Sequence, residues 1–576
     1  MTNAEIAAAL EELGVLYELD GAVKYRVLAY STAAKAIRES PVSVAELAAQ
    51  GRATEIPGVG KTLAEKIDAL LETGEIPAAA RLKEKFPPTL IEVTRVPGVG
   101  PKTARRLFEE LGVASLEDLK RAAEEQRIRT VKGLGPKAER NVLAALERLG
   151  EPGEGPGRLL LSAVRPIAAE LAAALREHPA ARRVEVAGSV RRWAETCKDI
   201  DLIAASDEPR ALAEHLARHP LIASAGTPGE SGVRAQTHNG IAVDLRIVPP
   251  AAFGNLLQHF TGSKEHNVQL REDAVARGLS VSEHGIVDVE SGETVLCESE
   301  EEVYARLGYE YIEPELREGR GELRAAREGK LPRLVTAADV RGDLHCHTTL
   351  SDGRHTLEEM ARAAGERGYE YLALTDHSAT HGFGNHVTAE RLWQRVEEVR
   401  AWNEANADAG LTLLCGSEVN IGLDGGLDYP DDLLAALDWV VASVHTSFSI
   451  SAAAMTERVV AAIENPAVHC VGHLTGRLIG RREPYGIDVE AVFEAAARTG
   501  TMIEINGNPN RRDLSDRHAR LAADAGVKIV LNTDAHGVET LDNMAYAVAT
   551  ARRAWLTAAD VANTRPWPEL KKLLSR

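Results

Sequence analysis

Aromatic residues and cysteines are both scarce in this chain. Phe, Trp and Tyr make up 4% of its 576 residues, whereas Ala and Leu are abundant, and this balance favours helices over sheet-rich sandwiches. The five cysteines follow no CxxC or disulfide-framework spacing, which argues against a disulfide-stapled secreted protein and predicts a reduced, cytoplasmic one. No apolar run reaches membrane-spanning length, and residues 1–14 have the pattern of an amphipathic helix rather than a signal peptide. We therefore expect no membrane partner.

Net charge is strongly negative but unevenly distributed. The chain carries a formal charge of −19, yet residues 1–150 hold 22 basic and 22 acidic side chains. Within residues 81–150 there are 15 basic and 10 acidic residues, whereas residues 341–576 hold 23 and 33. Because global charge determines solubility rather than a local binding face, the acidic total does not exclude nucleic acid. A chain of this length is expected to form three or four domains.

Two segments look like domain boundaries. Residues 151–157, EPGEGPG, form a Gly/Pro-rich break after a helical region. Residues 313–340 are polar and charged with no apolar period, which predicts a connector.

An internal repeat occupies the first 150 residues. Its copies are IPGVGKTLAEKI (56–67), VPGVGPKTARRL (96–107) and VKGLGPKAERNV (131–142). Two glycines allow a tight turn between helices, and the next helix presents free backbone N–H groups that bind phosphate without regard to base identity. Lys61, Lys102 and Lys137 lie at or just after each turn, where they add positive charge. The copies resemble the helix-hairpin-helix modules of DNA-repair proteins.

The middle of the chain carries three acidic residues on predicted strands. Asp199 and Asp201 are two residues apart, so their side chains point the same way, and Asp244 lies in a second strand-like run. Three carboxylates on adjacent strands can hold two Mg²⁺ ions for in-line phosphoryl transfer. Gly188–Ser189 supplies a backbone turn for phosphates, with Arg191 and Arg192 within reach of the triphosphate charge.

Histidine is concentrated in the last 236 residues. Eleven of the 18 histidines lie between residues 341 and 576, mostly in short clusters with acidic residues that follow apolar, β-branched stretches. This pattern predicts strand ends in a parallel α/β barrel, whose chemistry lies at the C-terminal ends of its strands. Imidazole and carboxylate ligands together suit Mn, Zn or Fe, and so many of them indicate more than one ion.

These clusters resemble the PHP (polymerase and histidinol phosphatase) phosphoesterase domain over about 230 residues. The resemblance implies a (β/α)7-type barrel that hydrolyses phosphoesters with two or three Mn²⁺ or Zn²⁺ ions. Asp376 is expected to orient His377 without binding a metal ion itself. All nine ligand positions of the family are filled, by His345, His347, Asp352, His377, Glu418, His445, His473, Asp534 and His536.

Residues 1–315 resemble the family X DNA polymerases, which include polymerase beta. The resemblance implies that Asp199 and Asp201 bind two Mg²⁺ ions and that Asp244 binds the catalytic one. It assigns Gly188, Ser189 and Arg192 to the triphosphate, Phe260, Gly262 and Asn267 to the sugar and minor-groove side, and Arg271 to the template. Three positions depart from the family pattern: Cys197 replaces a frequent hydroxyl residue, Trp193 a glycine and His259 a tyrosine. These departures affect phosphate binding and sugar discrimination and leave the carboxylates intact.

Lys66 occupies the family position of the lysine that excises a 5'-deoxyribose phosphate through a Schiff base. That lyase chemistry requires an unprotonated amine, whereas a lysine that only contacts phosphate does not. The sequence leaves both roles open, with Tyr30 as a companion of Lys66 in the pocket.

Together these resemblances predict a multidomain chain with N-terminal all-α helix-hairpin-helix domains, an α/β nucleotidyltransferase palm with a thumb, and a C-terminal PHP barrel. The predicted ranges are 1–80 for a 5'-phosphate/lyase-like domain, 81–150 for helix-hairpin-helix fingers, 151–250 for the palm, 251–315 for the thumb, 316–340 for a linker and 341–576 for the barrel.

The predicted function is DNA-directed gap filling in base excision repair, by a monomer that binds gapped or nicked DNA and dNTPs. The barrel would remove 3'-terminal nucleotides or 3' phosphates. Two alternatives stay open: a 3'-end-processing phosphoesterase with slow polymerisation, and a non-catalytic DNA scaffold. The intact acidic triad and the nine filled metal positions argue against the scaffold.

Overall fold

A computed structural model describes residues 1–96, 98–149, 158–380 and 386–574. The predicted boundary at 151–157 lies outside these residues. The chain divides into two compact units. The first comprises Met1–Leu159, Ala163–Val186 and Lys198–Pro250, and the second comprises Leu160–Ser162, Ala187–Cys197 and Ala251–Arg576.

The N-terminal part of the first unit is helical. Its apolar side chains, among them Leu10, Leu63 and Leu107, form one buried core. The helices described here are α1 (Asn3–Leu19), α2 (Lys24–Glu39), α3 (Val44–Ala49), α4 (Lys61–Thr73), α5 (Pro77–Lys83), α6 (Pro88–Val93), α7 (Pro101–Leu111), α8 (Leu116–Glu124) and α9 (Pro136–Leu149).

The three repeats form three tight turns that each lead into a helix. Gly58, Gly98 and Gly133 have φ values of 81°, 88° and 85°, in the left-handed region that glycine adopts without steric cost. Helices α4, α7 and α9 each begin three residues later, and the first N–H groups of a helix have no partner within it. This geometry agrees with the predicted phosphate-binding hairpins.

A five-stranded sheet forms the rest of the first unit. Its strand order is β2-β4-β7-β6-β5, with β4 and β7 parallel and the other pairs antiparallel. The elements of this region of the chain are β1 (Leu159–Leu160), α10 (Leu161–Glu177), β2 (Ala181–Val186), α11 (Gly188–Arg191), β3 (Thr196–Cys197), β4 (Asp199–Ser206), α12 (Pro209–Ala217), β5 (Ile222–Ala225), β6 (Gly232–Thr237) and β7 (Ala242–Val248).

The second unit continues with a mixed helix and hairpin region. Its elements are α13 (Phe253–Thr261), α14 (Lys264–Val275), β8 (Leu279–Ser282), β9 (Gly285–Asp288), β10 (Thr294–Val295), α15 (Glu300–Arg306) and α16 (Glu322–Arg327). Residues 316–340, expected to be a polar linker, instead contribute α16, and Leu316, Leu323 and Ala326 belong to the core of this region.

The remainder of the second unit is a seven-stranded parallel sheet, with strands in sequence order. A parallel bridge between Cys346 and Ala535 joins the first and last strand regions, so the sheet nearly closes into a barrel. The strands are β11 (Gly342–Cys346), β12 (Tyr371–Leu374), β13 (Thr412–Asn420), β14 (Trp439–Ser443), β15 (Cys470–Val471), β16 (Met502–Asn506) and β17 (Ile529–Asn532).

Helices cover the outside of the barrel, and apolar side chains from strands and helices form a continuous core between them. The helices are α17 (Leu357–Glu366), α18 (Ala389–Ala405), α19 (Asp431–Ala436), α20 (Ala452–Glu464), α21 (Val489–Thr499), α22 (Asp516–Asp524), α23 (Met544–Arg553) and α24 (Trp567–Leu574).

None of the described helices combines the length and the apolar character needed to span a lipid bilayer.

A buried ion-pair cluster joins α11 to α15 in the second unit. Glu300 is 3% exposed and forms ion pairs with Arg317, which is fully buried, and with Arg191 at 2.7 Å. Burial alone would raise the pKa of Glu300, but the two guanidinium groups lower it to about 2. The Glu300–Arg317 pair explains why Arg317, a charged residue of the predicted linker, is buried: its partner lies outside the linker.

Replacing Glu300 by Gln should destabilise the second unit by about 3–5 kcal/mol, because the buried Arg317 would lose its counter-charge. All six tryptophans lie in this unit, so denaturant unfolding followed by tryptophan fluorescence reports on it. Since the folded pKa is depressed, the stabilisation is present above pH 4.5 and is lost as pH falls toward 2. The control is Glu464→Gln, which removes an exposed ion pair with Arg498 and should cost under about 1 kcal/mol. Equal losses for the two variants would contradict the prediction.

Candidate active sites

All nine predicted metal ligands lie at the carboxyl ends of barrel strands or just beyond them. His345 and Glu418 belong to β11 and β13, and the others follow the ends of β11, β12, β14, β15 and β17. Parallel strands bring these ends to one rim of the barrel, so residues almost 200 positions apart meet. The strands therefore place the predicted ligands around one point.

Eight of the nine side chains form three overlapping groups whose donor atoms lie within 4.8 Å of one another. The first and second groups share His347, and the first and third share His377, so the three positions are adjacent. The groups are His347, Asp352, His377 and His536; His345, His347 and Asp534; and His377, Glu418 and His445. Among the described residues, these are the groups of side chains that could hold a metal ion, and all three belong to the barrel.

Glu418 is the common neighbour of these groups. Its Oε2 lies 2.9 Å from His377 Nδ1 and 3.3 Å from His345 Nε2. Its Oε1 lies 3.1 Å from His445 Nε2 and 2.8 Å from His473 Nε2. The ninth predicted ligand, His473, thus joins the cluster through this carboxylate.

The donor atoms are arranged for cations rather than for hydrogen bonds. His345 Nε2, both ring nitrogens of His347 and Glu418 Oε2 are buried and make no hydrogen bond with any described residue. Buried polar atoms without partners are rare and costly in proteins. A set of imidazole and carboxylate donors that converge in this way fits divalent transition metals.

The electrostatics of Glu418 and His347 favour the protonation states in which these two side chains bind metal. Burial opposes ionisation of Glu418, but His445, His345 and His377 hold its pKa well below the usual range. Burial, with the neighbouring His536 and His377, lowers the pKa of His347 to about 4. The carboxylate is thus ionised and the imidazole neutral at neutral pH, the forms that bind metal.

Glu504 on β16 is a part of the cluster that the sequence motifs did not reveal. Its Oε1 accepts a hydrogen bond from His345 Nδ1 at 2.6 Å, and its Oε2 accepts one from the His473 backbone N–H at 2.7 Å. The carboxylate therefore fixes the ring of His345 with Nε2 facing the other ligands. Its position at the end of the sixth strand was the available signal, since the other strand ends carry ligands.

Asp376 binds a different segment from the one expected. Its carboxylate accepts hydrogen bonds from the backbone N–H and hydroxyl groups of Thr348 and Ser351, at 2.7–3.1 Å. It thereby holds the turn that leads into Asp352.

Replacing Glu504 by Gln should weaken metal binding by about 10–100-fold, because His345 would lose the charged partner that orients it. Metal titration of the demetallated protein by calorimetry measures this. The matched control is Glu494→Gln, an exposed glutamate on α21 of the same barrel. A Glu504→Gln protein that keeps the wild-type melting temperature in the presence of a chelator is correctly folded without metal. If its metal affinity is also unchanged, Glu504 has no positioning role.

The three palm carboxylates lie on one face of adjacent strands in the first unit. In the parallel pair β4–β7, Asp201 is the register partner of Asp244, and Asp199 is two residues before Asp201. Asp244 forms ion pairs with Arg246 at 2.9 Å and Arg234 at 3.5 Å. The strand geometry agrees with the predicted triad, while these arginines already neutralise one member.

The predicted triphosphate loop packs against the end of α13 in the second unit. Arg191 Nη1 donates to Thr261 Oγ1, and Arg192 Nη1 donates to the Thr261 carbonyl, both at 2.7 Å. Arg192 Nε also pairs with Glu318 at 3.1 Å. Gly188 begins α11 with φ at 62°. The loop and α13 thus form one connected structure.

The other predicted nucleotide residues lie on α13, on α14 and between them. Asn267 donates to the His259 carbonyl at 2.6 Å and accepts from Gln258. A Cβ on Gly262 would lie 2.9 Å from Asn267 Oδ1, so a larger residue there would require the Asn267 side chain to shift. Phe260 is half-buried and Arg271 is exposed. Asn267 therefore supports the end of α13 in this structure.

The predicted lyase pair lies in the first unit. Lys66 is half-buried on α4, and Tyr30 packs in the core with its ring 5.4 Å from that of Tyr17. Burial raises the pKa of Tyr30 to about 12, so its hydroxyl stays protonated. Lys61, Lys102 and Lys137 are exposed at the starts of the three hairpin helices.

Four family models match separate parts of the chain. They describe a helix-hairpin-helix domain (residues 1–76), a SAM-like helix-hairpin-helix tandem (90–148), a DNA polymerase beta thumb (256–318) and a PHP domain (343–508). The thumb range runs from within α13 to beyond the end of α15, and the PHP range covers the first six barrel strands.

Curated relatives match either the whole chain or one half. DNA polymerase lambda of Rattus norvegicus is 27% identical over 351 residues, covering 54% of this chain and 56% of that protein. A protein of Thermoanaerobacter sp. (strain X514) named as a probable phosphatase is 33% identical over 240 residues, covering 38% of this chain and 89% of its own. DNA polymerase/3'-5' exonuclease PolX of Bacillus subtilis (strain 168) is 37% identical over 578 residues and covers 100% of both chains. This chain therefore belongs to the PolX family, the family X DNA polymerases that carry a C-terminal PHP domain.

Proposed function

We propose that this protein fills short gaps in DNA with deoxynucleotides and removes 3'-terminal nucleotides with its barrel. The observation that carries the proposal is that the chain holds two sets of potential metal ligands. One is the triad of palm carboxylates, and the other is the histidine-rich cluster of the barrel. The full-length similarity to a DNA polymerase/3'-5' exonuclease supports both activities, and the similarity to polymerase lambda supports a role in repair.

Nucleotide addition is assigned to the palm. Asp199 and Asp201 would hold two Mg²⁺ ions, and Asp244 would hold the one nearest the primer 3'-hydroxyl. Bound there, the ions would activate the hydroxyl and stabilise the leaving pyrophosphate. Because Asp244 pairs with Arg246 and Arg234, its carboxylate must be shared with these arginines when an ion binds.

The nucleotide pocket is assigned to the two connected segments around Thr261. Gly188 and Ser189 would present backbone N–H groups to the triphosphate, and Arg192 would pair with it. A triphosphate then competes with Glu318 for Arg192. Phe260, Gly262 and Asn267 would face the sugar and the minor groove, with His259 beside them, and Arg271 would lie near the template.

Hydrolysis is assigned to the barrel. The nine ligands would bind two or three ions, and Mn²⁺ or Zn²⁺ fits an imidazole-rich set better than Ca²⁺ does. Such ions supply an activated water and a counter-charge for the leaving oxygen. The neutral His347, the ionised Glu418 and the oriented His345 keep the ligands in place. The substrates would be 3'-terminal nucleotides or 3' phosphates.

DNA binding is assigned to the three hairpins. Their free helix N-termini and the exposed Lys61, Lys102 and Lys137 would grip the phosphates of gapped or nicked DNA. Lys66 would either form a Schiff base with a 5'-deoxyribose phosphate or contact the phosphate only, with Tyr30 behind it. Borohydride trapping of the lysine on an incised abasic duplex separates these two roles.

Several broader assignments belong to the same proposal. The predicted domain ranges are kept, except that residues 316–340 are treated as part of the folded α13–α16 region. The protein would act as a monomer in the cytoplasm, in base excision repair. The five cysteines are buried and form no disulfide within the described residues, which is consistent with a reducing compartment.

One observation favours a second function, 3'-end processing with slow polymerisation. The barrel donors already converge within 4.8 Å, whereas Asp244 is drawn into ion pairs. A single labelled gapped duplex, incubated with and without dNTPs, separates the two functions by comparing the rates of extension and degradation.

Changing His345 and His347 together to Ala should abolish hydrolysis from a 3' end, by several orders of magnitude if charge stabilisation dominates. Primer extension should persist, because it depends on carboxylates of the other unit. The assay is the labelled gapped duplex, with His386→Ala, an exposed barrel histidine, as control. Equal loss of both activities would indicate a shared site or misfolding, and unchanged hydrolysis would refute the barrel assignment.

Changing Asp244 to Ala should abolish nucleotide addition and leave the affinity for gapped DNA within a few-fold, because the change removes a metal ligand and no phosphate contact. Single-turnover extension and fluorescence anisotropy measure the two properties. The control is Asp207→Ala, which removes an exposed ion pair with Arg182 in the same unit. Extension at the wild-type rate would show that the palm assignment is wrong.

A further inference from the structure

The segment that follows the proposed triphosphate residues contacts the barrel. Residues 187–197 and the barrel belong to the same compact unit. Arg512 Nη1 donates to the Trp193 carbonyl at 2.9 Å, and Arg553 Nη1 donates to the Arg192 carbonyl at 2.8 Å. The barrel thus binds the backbone of the loop at two consecutive residues.

Side chains add two further contacts to the same loop. Arg477 forms a two-pronged ion pair with Glu195, with N–O distances of 3.2 and 2.5 Å. The Trp193 ring packs edge-on against the Tyr546 ring, with centroids 5.7 Å apart. Two-pronged guanidinium–carboxylate pairs fix orientation as well as distance.

The barrel groups that make these contacts are themselves immobilised. Arg512 is 1% exposed, and its Nε and Nη2 donate to Thr550 Oγ1 at 3.0 and 2.9 Å. Arg553 pairs at once with Asp516 at 3.0 Å and with Glu318 at 2.7 Å. Glu318 is also the partner of Arg192, so the barrel contacts both the backbone and the ion-pair partner of that residue.

One residue of the loop has a backbone conformation that is costly for its type. Trp193 has φ at 54°, in a region that costs a non-glycine residue roughly 1–2 kcal/mol. Strained backbone persists only where the surroundings determine it. The surroundings here include Arg512 and Tyr546, both from the barrel, in addition to the hydrogen bonds within the loop.

We propose that the barrel positions the loop that is assigned to the incoming triphosphate. Arg477, Arg512 and Arg553 act as positioning residues that hold residues 192–195 in the shape that binds the incoming triphosphate. This inference rests on the proposed function, in which Gly188, Ser189 and Arg192 bind that triphosphate. It predicts that dNTP binding depends on barrel residues that touch neither the nucleotide nor the metal cluster.

The test is a double-mutant cycle on Glu195 and Arg477 in the full-length protein. Glu195→Gln and Arg477→Gln should each raise the KM for dNTP about tenfold, because a tenfold change corresponds to the loss of one hydrogen bond between charged groups. The change in kcat should be smaller. The double variant should be no worse than either single variant, because both remove one interaction. The affinity for gapped DNA and the rate of 3' hydrolysis by Glu195→Gln should match those of the wild type.

The charge-reversed double variant, Glu195→Arg with Arg477→Glu, supplies a rescue. It should recover much of the dNTP affinity lost in Glu195→Arg alone. Arg498→Gln, which removes an exposed barrel ion pair, is the matched control and should leave the KM unchanged.

Each outcome is informative. Unchanged KM in both single variants, or fully additive losses without rescue, overturns the inference. If Arg477→Gln lowers the melting temperature of the protein, the KM of Glu195→Gln becomes the test. That change alters only Glu195, the half-buried loop residue of the pair. A wild-type protein that incorporates no dNTP would refute the proposed function instead, so the two failures are distinguishable.

Discussion

The barrel depends on one buried carboxylate surrounded by imidazoles. Glu418 lies within 3.6 Å of ring nitrogens from His345, His347, His377, His445 and His473. These five histidines come from four strand ends, so the arrangement exists only when the parallel strands reach one rim. Several of these donor atoms are buried and make no hydrogen bond with any described residue, which is costly. We infer that fold and metal binding are strongly linked here, because a bound ion would repay that cost.

The sequence predicted those features whose signal is local. Each barrel ligand follows an apolar stretch, the spacing of Asp199 and Asp201 shows a shared strand face, and the hairpin glycines occur at the turns. Features that need a distant partner were not predictable. Glu504 acts through His345, which lies 159 residues away, so no motif links them.

The segment 316–340 is a second case in which distant partners made a feature unpredictable from the sequence. Its charged residues suggested a solvated connector, yet Arg317 and Glu322 are fully buried because Glu300 and His266 meet them. Composition cannot distinguish a solvated charge from one with a partner elsewhere in the chain. Likewise, Trp193 looked like an altered glycine position, whereas in the structure its ring contacts Tyr546 of the barrel.

The closure of the barrel by the bridge from Cys346 to Ala535 has a consequence for synthesis of the chain. The two strands that close the rim are separated by almost 190 residues, so the ligand cluster cannot assemble until the last strand leaves the ribosome. At about 5–20 residues per second, this leaves a delay of roughly 10–40 seconds after the first strand appears. During that interval the helical N-terminal part can already fold. On the proposed function, a nascent chain could therefore hold DNA before it is able to degrade it.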